Sequence, residues 1–348
     1  MAPNDEREDT MVVIGIDPHK GSHTAVAIDE DETKLAEVRV RADRRQLEGL
    51  LKWAIEFPDR FWAIESAGGL GGLLSQQLLE AGEEVFDVPP TLSARVRVLA
   101  TNKSQKNDPN DAYSVAVAAL RSPRLRAAEN AEHVTVLRLM WNRHKNLTSA
   151  HTQAMCRLHA LLVGILPGGA RRQLSATKAA ALLAGVRTPS AVEQTRKAQA
   201  QLLIADVRRL DAELKASKRR IAAFVATVPT TLGELSGVGP IATAIILAHT
   251  GDVSRFPTED HYASYNGTAP IDASSGPKKR HRLNPRGNRQ LNHAMHIIAF
   301  SQLSHPGPGR DYYERKIAEG KTQKEAVRSL KRQISNVVYR KLRSDADQ

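Results

Sequence analysis

The sequence predicts an α/β protein in three parts. Short β-branched runs alternate with helical spacing over residues 1–126, which is typical of a sheet with helices packed on it. Residues 127–226 have helical spacing almost throughout, and residues 227–348 begin with a glycine-rich turn into a helix. A chain of 348 residues can form two or three domains, each large enough to bury a core. We therefore expect an α/β N-terminal domain, a helical middle region and a mainly α C-terminal domain.

The N-terminal domain is predicted to contain strands first and then alternating helices and strands. Strands are indicated at residues 12–17, 23–29, 34–40, 61–65 and 84–88, the last one ended by Pro89-Pro90. Close spacing of the first three implies antiparallel hairpins. Helical spacing is present over 43–56 and near 70–81, and Asp108 is a good N-cap for a further helix. Three antiparallel strands followed by alternating helix and strand is the order of an RNase H-like domain.

The middle region is predicted to contain two long helices. Apolar residues recur every three to four positions from Leu137 to Ile165 and again from Leu203 to Ile221, with charged residues between them. A Pro-Gly-Gly sequence at 167–169 and a mixed insert separate the two segments. This pattern indicates an antiparallel hairpin or a dimerising coiled coil, with an ordinary helical bundle as the alternative.

The C-terminal domain begins with Gly237-Val-Gly-Pro, which turns through two glycines into a helix N-terminus. This is the pattern of a helix-hairpin-helix, whose exposed amides can hold a phosphate. Residues 276–348 contain 17 Lys and Arg and 6 Asp and Glu, whereas residues 1–126 contain 16 Lys and Arg and 21 Asp and Glu. The basic end favours a polyanionic partner there, and a soluble protein with a high isoelectric point is the plainer alternative.

The composition excludes several classes of protein. The single cysteine, Cys156, rules out an internal disulfide framework and a zinc site built from several cysteines. We expect no membrane span, because no uncharged apolar run reaches about 18 residues. The polar, acidic N-terminus lacks the apolar stretch of a secretory signal. We therefore expect a cytoplasmic protein that associates with the nucleoid.

Four carboxylates stand where a metal site needs them. Asp17 ends the first strand and Glu65 ends the fourth, and these strands are neighbours in an RNase H-like sheet. Asp108 and Asp111 are three residues apart, so they share one face of a helix's first turn. Converging carboxylates repel one another unless hard cations neutralise them, and oxygen ligands favour magnesium. The sequence predicts a magnesium site, although each acid alone is also explained as a turn former or a helix cap.

The segments around these acids resemble those of a known family. Three of them are similar to the acidic motifs of the DEDD transposases of bacterial insertion sequences: Gly15-Ile-Asp-Pro-His-Lys, Ala63-Ile-Glu-Ser and Lys106-Asn-Asp-Pro-Asn-Asp-Ala. The C-terminal part resembles the same family in Gly237-Val-Gly-Pro, Gly251-Asp-Val-Ser-Arg-Phe, Tyr265-Asn-Gly-Thr-Ala-Pro, Ser274-Ser-Gly and Arg286-Gly-Asn. In this family a RuvC-like domain is joined to a C-terminal transposase domain and is guided by a bridge RNA.

The resemblance implies a mechanism and a set of partners. A serine of the C-terminal domain attacks DNA in this family and forms a covalent serine–DNA intermediate. The matching residue is Ser274, with Ser275 as the alternative. The resemblance also implies magnesium bound by the four carboxylates, a guide RNA encoded by the same element, and donor and target DNA duplexes. Because two duplexes must be recombined, it further implies a homo-oligomer, either a dimer or a tetramer.

A run of cations follows the serine. It contains no acid before Asp311 and suits contacts with phosphates, with a solvated basic loop as the alternative. Its members are Lys278, Lys279, Arg280, Arg282, Arg286 and Arg289. The sequence thus predicts a transposase that cuts and rejoins DNA. Two alternatives remain, a structure-selective RuvC-like endonuclease with water as the nucleophile and a non-enzymatic nucleic-acid-binding protein.

Overall fold

The computed structural model describes residues 11–101, 108–122, 125–128, 132–171, 173–272, 281–282, 284 and 287–347. The chain forms two compact units, Met1–Asn130 and Ala131–Gln348, which we call the N-terminal and C-terminal units. The finer division of the C-terminal unit at residue 226 stays a prediction. Among the described residues, no helix has both the length and the apolar character needed to cross a membrane.

A mixed sheet forms the centre of the N-terminal unit. Its strands are β1 (Val12–Pro18), β2 (Ser22–Ile28), β3 (Lys34–Arg41), β4 (Arg60–Glu65), β5 (Val85–Val88) and β6 (Arg126–Ala127). They lie in the order β3-β2-β1-β4-β5-β6. The pairs β1–β2, β2–β3 and β5–β6 are antiparallel, whereas β4 is parallel to both β1 and β5. The predicted α/β, RNase H-like fold class is confirmed by this arrangement.

Helices cover both faces of this sheet. They are α1 (Gln46–Ala54), α2 (Gly72–Glu80), α3 (Pro90–Thr101) and α4 (Asp108–Leu120). Side chains alternate between the faces along β1, so Ile14 and Ile16 pack with α1 and α2 while Val13 packs with α4. Because both faces are covered, β1 is buried along its whole length. Asp17 is an even number of residues from Val13, which directs its side chain to the α4 face.

Helix α3 and strand β6 are absent from the sequence-based prediction. The Pro89-Pro90 pair indicates the end of β5, but proline is also tolerated in the first turn of a helix, and α3 begins at Pro90. Strand β6 has only two residues, too few to show a periodicity. The helix missed in this way carries two side chains that contact the predicted metal ligands.

The C-terminal unit is built mainly from helices. Its elements are α5 (Glu132–Val163), α6 (Ala176–Ala184), α7 (Ala191–Val225), α8 (Pro240–Thr250), α9 (Glu259–Tyr265), β7 (Ile271–Asp272), β8 (His281–Arg282), α10 (Arg289–Leu303), α11 (Pro308–Ala318) and α12 (Gln323–Ala346). Arg143 of α5 forms an ion pair with Glu213 of α7 at 2.7 Å, and Arg196 donates to the carbonyl of Gly164 at 3.1 Å. Early residues of α5 thus contact late residues of α7. Helices α5 and α7 therefore form an antiparallel hairpin, and the dimerising coiled coil stays a prediction.

The helices from α8 onward surround a separate apolar core. Trp141 of α5 is buried in it together with Tyr262, Met295 and Val338. The turn before α8 needs glycine, because Gly237 has a φ of 78°, in the left-handed region. The core fixes α10 and α12 beside the C-terminal motifs.

Candidate functional site

Glycine at position 15 allows helix α4 to cross strand β1 in close contact. A Cβ atom on Gly15 would overlap the carbonyl oxygen of Ala112 and the backbone nitrogen of Ala116. The missing side chain therefore lets the two backbones approach directly. As a result, the first turn of α4, with both of its aspartates, lies beside the end of β1 that carries Asp17.

The fourth acid is brought to the same place by strand pairing. Strands β1 and β4 are parallel, and Ile16 pairs with Ile64. The next residues, Asp17 and Glu65, therefore leave the same edge of the sheet. We call the four acids the acidic quartet; its members are Asp17, Glu65, Asp108 and Asp111.

The quartet members influence one another electrostatically. The pKa of the Asp17 carboxyl is raised to about 6, chiefly by burial. His19 lowers it, whereas Glu65, Asp111 and Asp108 all raise it. Three acids that come from distant parts of the sequence thus act on one buried carboxyl. This concentration of negative charge is suited to a cation.

Two basic side chains contact the quartet from the strand side. His19 Nδ1 lies 3.5 Å from Asp17 Oδ2, and Arg39 Nη2 lies 3.5 Å from Asp108 Oδ2. Both basic groups are largely exposed, with 49% and 66% of their side chains accessible. Water therefore screens these contacts, and they neutralise the acids only in part.

Helix α3 contributes the other two contacts. The Ser93 hydroxyl donates a hydrogen bond to Glu65 Oε1, and the Arg97 guanidinium forms an ion pair with Asp111 Oδ1. Ser93 and Arg97 are four residues apart and therefore share one face of the helix. Each contact holds one carboxylate oxygen and orients the other.

The residues that could hold a metal ion include one that sequence analysis misses. One ligand atom from each of Asp17, His19 and Asp108 lies within 4.8 Å of the others. His19 follows Asp17 by two residues at the end of an extended strand, so both side chains point to the same side. That spacing is the signal by which His19 could have been found. Ser93 and Arg97 carry no such signal, because their role depends on an unpredicted helix.

Two of the C-terminal motifs pack directly against each other. A Cβ atom on Gly287 would overlap the backbone of Gly267. The amide of Asn288 donates to the carbonyl of Tyr265 at 2.6 Å, and the Asn288 side chain accepts from two amides of the first turn of α10. The structure therefore joins the Tyr-Asn-Gly and Arg-Gly-Asn motifs at their glycines.

A buried lysine completes this contact. Lys331 of α12 donates to Asn292 Oδ1 at 2.6 Å, and Asn292 Nδ2 donates to the carbonyls of Asn266 and Gly267 at 3.1 and 3.0 Å. Burial lowers the pKa of Lys331 to about 8. Sequence analysis gives no indication of this group, because a lysine within a helix is ordinarily solvated.

Most of the predicted nucleic-acid-binding residues and both serines lie outside the described residues. These are Ser274, Ser275, Lys278, Lys279, Arg280 and Arg286. Arg282 belongs to β8, which pairs with β7 through Ile271 and Arg282, but its side chain is also outside the description. Arg289 is described and stands exposed at the first position of α10.

Two transposase models match the chain. The IS110 DEDD model, described as "Transposase", matches residues 14–167, which include the whole quartet. The model described as "Transposase IS116/IS110/IS902 family" matches residues 229–314. Both describe one family, and together they cover more than half of the chain. The chain belongs to the IS110/IS116 family of transposases. It is therefore an enzyme of DNA cleavage and rejoining, and it comes from an insertion sequence.

This transposase is similar to curated proteins of insertion elements. It is 29% identical to the "Insertion element IS116 uncharacterized 44.8 kDa protein" of Streptomyces clavuligerus, over 95% of this chain and 94% of the relative. It is 25% identical to the "Insertion element IS900 uncharacterized 42 kDa protein" of Mycobacterium paratuberculosis, over 95% and 96%. Among solved structures, Thermus thermophilus RuvC in complex with a Holliday junction substrate matches 34% of the transposase and 99% of RuvC, with 18% identity and a TM-score of 0.27.

Proposed function

We propose that this transposase cuts DNA with magnesium held by the acidic quartet. The observation that carries the proposal is the group of Asp17, His19 and Asp108, in which one ligand atom from each residue lies within 4.8 Å of the others. Glu65 and Asp111 lie outside that group but near enough to act on Asp17, whose pKa is raised to about 6 by burial and by the neighbouring acids. The donor set is mainly oxygen, which magnesium prefers, and His19 adds a nitrogen at the rim.

The chain's own residues would prepare this site for the ion. Bound magnesium would supply positive charge that stabilises the phosphodiester as it is cleaved. Ser93 and Arg97 each hold one oxygen of a quartet carboxylate and leave the second oxygen as a ligand. Asp17 must lose its proton to act as a ligand. We therefore expect cleavage at limiting magnesium to decline as the pH falls below about 6.

The test is magnesium-dependent cleavage by Asp17→Asn. This variant removes a ligand charge and nearly keeps the shape of the side chain, so we expect a rate lower by about two orders of magnitude or more. Asp59→Asn is the matched control, because Asp59 is exposed and lies at the opposite end of the β1–β4 pair. Cleavage by Asp17→Asn at the wild-type rate would rule out the quartet as the metal site.

We further propose that Ser274 is the nucleophile for strand exchange. The support is the match between Ser274-Ser-Gly and the serine motif of the family, together with the cations that follow it. The serine oxygen would attack a DNA phosphorus, a phosphorus–oxygen bond of the strand would break, and the leaving oxygen would take up a proton. The energy of the broken phosphodiester bond would be conserved in a serine–DNA ester. A hydroxyl of the other strand would then attack this ester and displace the serine.

A trapped adduct tests the role of the serine. We expect wild-type protein and labelled DNA to form a covalent product that survives denaturation and maps to residues 272–278. Ser274→Ala should form none while it still binds DNA, and its stability should change by about 0.5 kcal/mol or less, because the change removes a single oxygen atom. An adduct on Ser275 would move the role by one residue. Cleavage without an adduct in both serine variants would make water the nucleophile and favour a RuvC-like endonuclease.

We also propose that a guide RNA and a homo-oligomer are needed for strand exchange. The support is the family resemblance and the excess of cations in residues 276–348, where 17 basic residues face 6 acids. Transcripts of the non-coding DNA that flanks the gene should stimulate cleavage of matching duplexes, and light scattering should report a dimer or tetramer. Equal cleavage with and without every flanking transcript would remove the RNA from the proposal.

A further inference from the structure

A groove runs between α5 and α10 within the C-terminal unit. Its volume is about 630 Å³, which lies in the range of pockets that hold small ligands. Lys145 and Thr148 line the α5 side, and Arg289 and His293 line the α10 side, with Trp141 at the floor. Neither the predicted metal site nor the serine motif uses these side chains.

Three rings are stacked at the floor of the groove. Trp141 lies between His144 and His293, with ring centroids 6.0 and 6.1 Å apart and interplanar angles of 28° and 29°. The indole N–H donates to Gln290 Oε1 at 2.8 Å, which fixes the orientation of the central ring. His293 is exposed, so the end of the stack reaches the groove surface. Partial desolvation of the two rings lowers the pKa of both histidines, and a nearby lysine lowers each further, Lys218 for His144 and Lys331 for His293, which favours neutral rings at pH 7.

The charge of the groove is positive. No carboxylate lines it, and Lys145 and Arg289 form no ion pair with an acid among the described side chains. The wall between them carries hydroxyls, because Thr148 and Thr152 follow Lys145 on one face of α5. Both threonines donate to backbone carbonyls of their own helix, which leaves the lone pairs of their oxygens as acceptors. The groove thus combines cations, hydroxyls and an aromatic surface.

We propose that this groove binds a single-stranded segment of nucleic acid, with phosphates on Lys145 and Arg289 and a base stacked on His293. Base faces are buried in a duplex, so an aromatic surface selects strands whose bases are unstacked. Two cations without acidic partners suit a backbone that carries one charge per nucleotide. The proposal deepens the proposed function, since it assumes that the chain acts on nucleic acids and places one contact with them.

Binding of labelled oligonucleotides to the full-length protein tests this assignment. The probes are a 12-nucleotide oligo(dT), the corresponding oligo(U) and a 12-base-pair duplex, and EDTA is present so that the metal site does not contribute. We expect Lys145→Ala/Arg289→Ala to weaken single-strand binding by about tenfold and to reduce the log–log salt slope by about 1.4, or 0.7 for each phosphate contact. Lys178→Ala/Arg208→Ala is the control, because it removes the same charge from exposed positions of α6 and α7.

The stacked base is tested separately at His293. His293→Ala should weaken single-strand binding by at least about fivefold, because stacking of one base is worth roughly 1–3 kcal/mol, whereas His293→Phe should restore it. Photo-crosslinks from 4-thiouridine in the RNA probe or 4-thiothymidine in the DNA probe should map to 141–153 or 289–297. A preference for oligo(U) or oligo(dT) would identify the strand as RNA or DNA, and either preference supports the groove.

The proposal fails if the groove variants bind single strands like the control variant, or if duplex binding falls as much as single-strand binding. It also fails if all crosslinks lie elsewhere. These outcomes are separable from failure of the proposed function. Loss of cleavage in Asp17→Asn with unchanged binding by the groove variants would reject only the groove. Weak binding by the groove variants with full cleavage by Asp17→Asn would reject only the metal site.

Discussion

The acidic quartet of the N-terminal unit and the groove of the C-terminal unit differ in the sign of their charge and in how the charged side chains are arranged. The quartet gathers acids from two strands and a helix that are far apart in the sequence, and the other three acids add to the effect of burial in raising the pKa of Asp17. The groove places cations on single faces of two helices, where Lys145 and Arg289 are exposed and form no ion pair with any acid that the structure describes. The first arrangement is suited to a small divalent cation, and the second is suited to an extended polyanion.

Each unit also contains a buried ionisable group whose pKa is shifted towards 7, in the direction that favours its neutral form. In the N-terminal unit, burial raises the pKa of Asp17 to about 6, and in the C-terminal unit, burial lowers the pKa of Lys331 to about 8. Near pH 7 both groups are nevertheless mainly charged, so both lower the stability of the native state. The difference is that Asp17 has acids around it that a cation could neutralise, whereas Lys331 has a neutral amide as its hydrogen-bond acceptor. A buried charge therefore indicates a ligand only when its neighbours share its sign.

The largest expected effect distinguishes the oxygen ligands of the quartet from the nitrogen ligand that His19 offers beside it. Asp108→Asn should slow magnesium-dependent cleavage by about two orders of magnitude, because it removes a ligand charge. His19→Ala should cost less than about tenfold, because magnesium prefers oxygen ligands. Single-turnover cleavage rates at saturating magnesium measure both. A loss in His19→Ala as large as that in Asp108→Asn would point to a softer metal than magnesium.

The next effect concerns the basic segment that follows the serine. Replacing Lys278, Lys279 and Arg280 together by glutamine should weaken duplex DNA binding by about 10- to 100-fold at moderate salt. The log–log salt slope should fall by about 2.7, or 0.9 for each lost phosphate contact. Fluorescence anisotropy across a salt series gives both quantities. An unchanged slope would place these residues off the path of the nucleic acid and leave the groove as the main cationic surface.

A smaller effect on stability should reveal the cost of the charge on Asp17, which burial and the neighbouring acids both increase. The native pKa of Asp17, about 6, exceeds the unfolded value of 3.8, so the native state binds more protons between these two pH values. The free energy of unfolding therefore falls as pH rises through this window. Without metal, Asp17→Asn should raise it by about 1–3 kcal/mol at pH 7 and by little below pH 4.

Urea denaturation in EDTA at both pH values measures this gain. Asp59→Asn changes an exposed acid immediately before β4 and should show no comparable gain at either pH. Equal stability of wild type and Asp17→Asn at pH 7 would mean that the acids do not destabilise the metal-free protein.

The smallest effect is expected at Lys331. Its native pKa of about 8 lies below the ordinary 10.5, so between these values the unfolded state binds more protons and the wild type gains stability as pH rises. Lys331→Met has no titrating group at this position and therefore lacks this pH-dependent gain in stability. Relative to the variant, the wild type should gain about 1–2 kcal/mol between pH 8 and 9.5. Parallel stability curves for the two proteins would show that the ammonium is solvated in the native state.

Sequence patterns predicted the N-terminal unit better than the surroundings of its site. Strand periodicity and the order of elements are local properties, so the RNase H-like sheet and the positions of Asp17 and Glu65 at strand ends could be predicted. Helix α3 could not be predicted, because a proline such as Pro90 is compatible both with the end of a strand and with the start of a helix. The contacts of Ser93 and Arg97 with the quartet were missed with it.

The sequence by itself determined the fold class, the long helical segments, the four acids and the basic C-terminal end, because each is written in local spacing or in charge along the chain. The role of Ser274 rests on the family resemblance of its motif. The tertiary structure alone decided that α4 crosses β1 at Gly15, that Lys331 lies beneath the joined glycine motifs, and that His293 stacks on Trp141. These are contacts between side chains or backbones distant in the sequence. They depend on how whole elements pack, and no local periodicity encodes that packing.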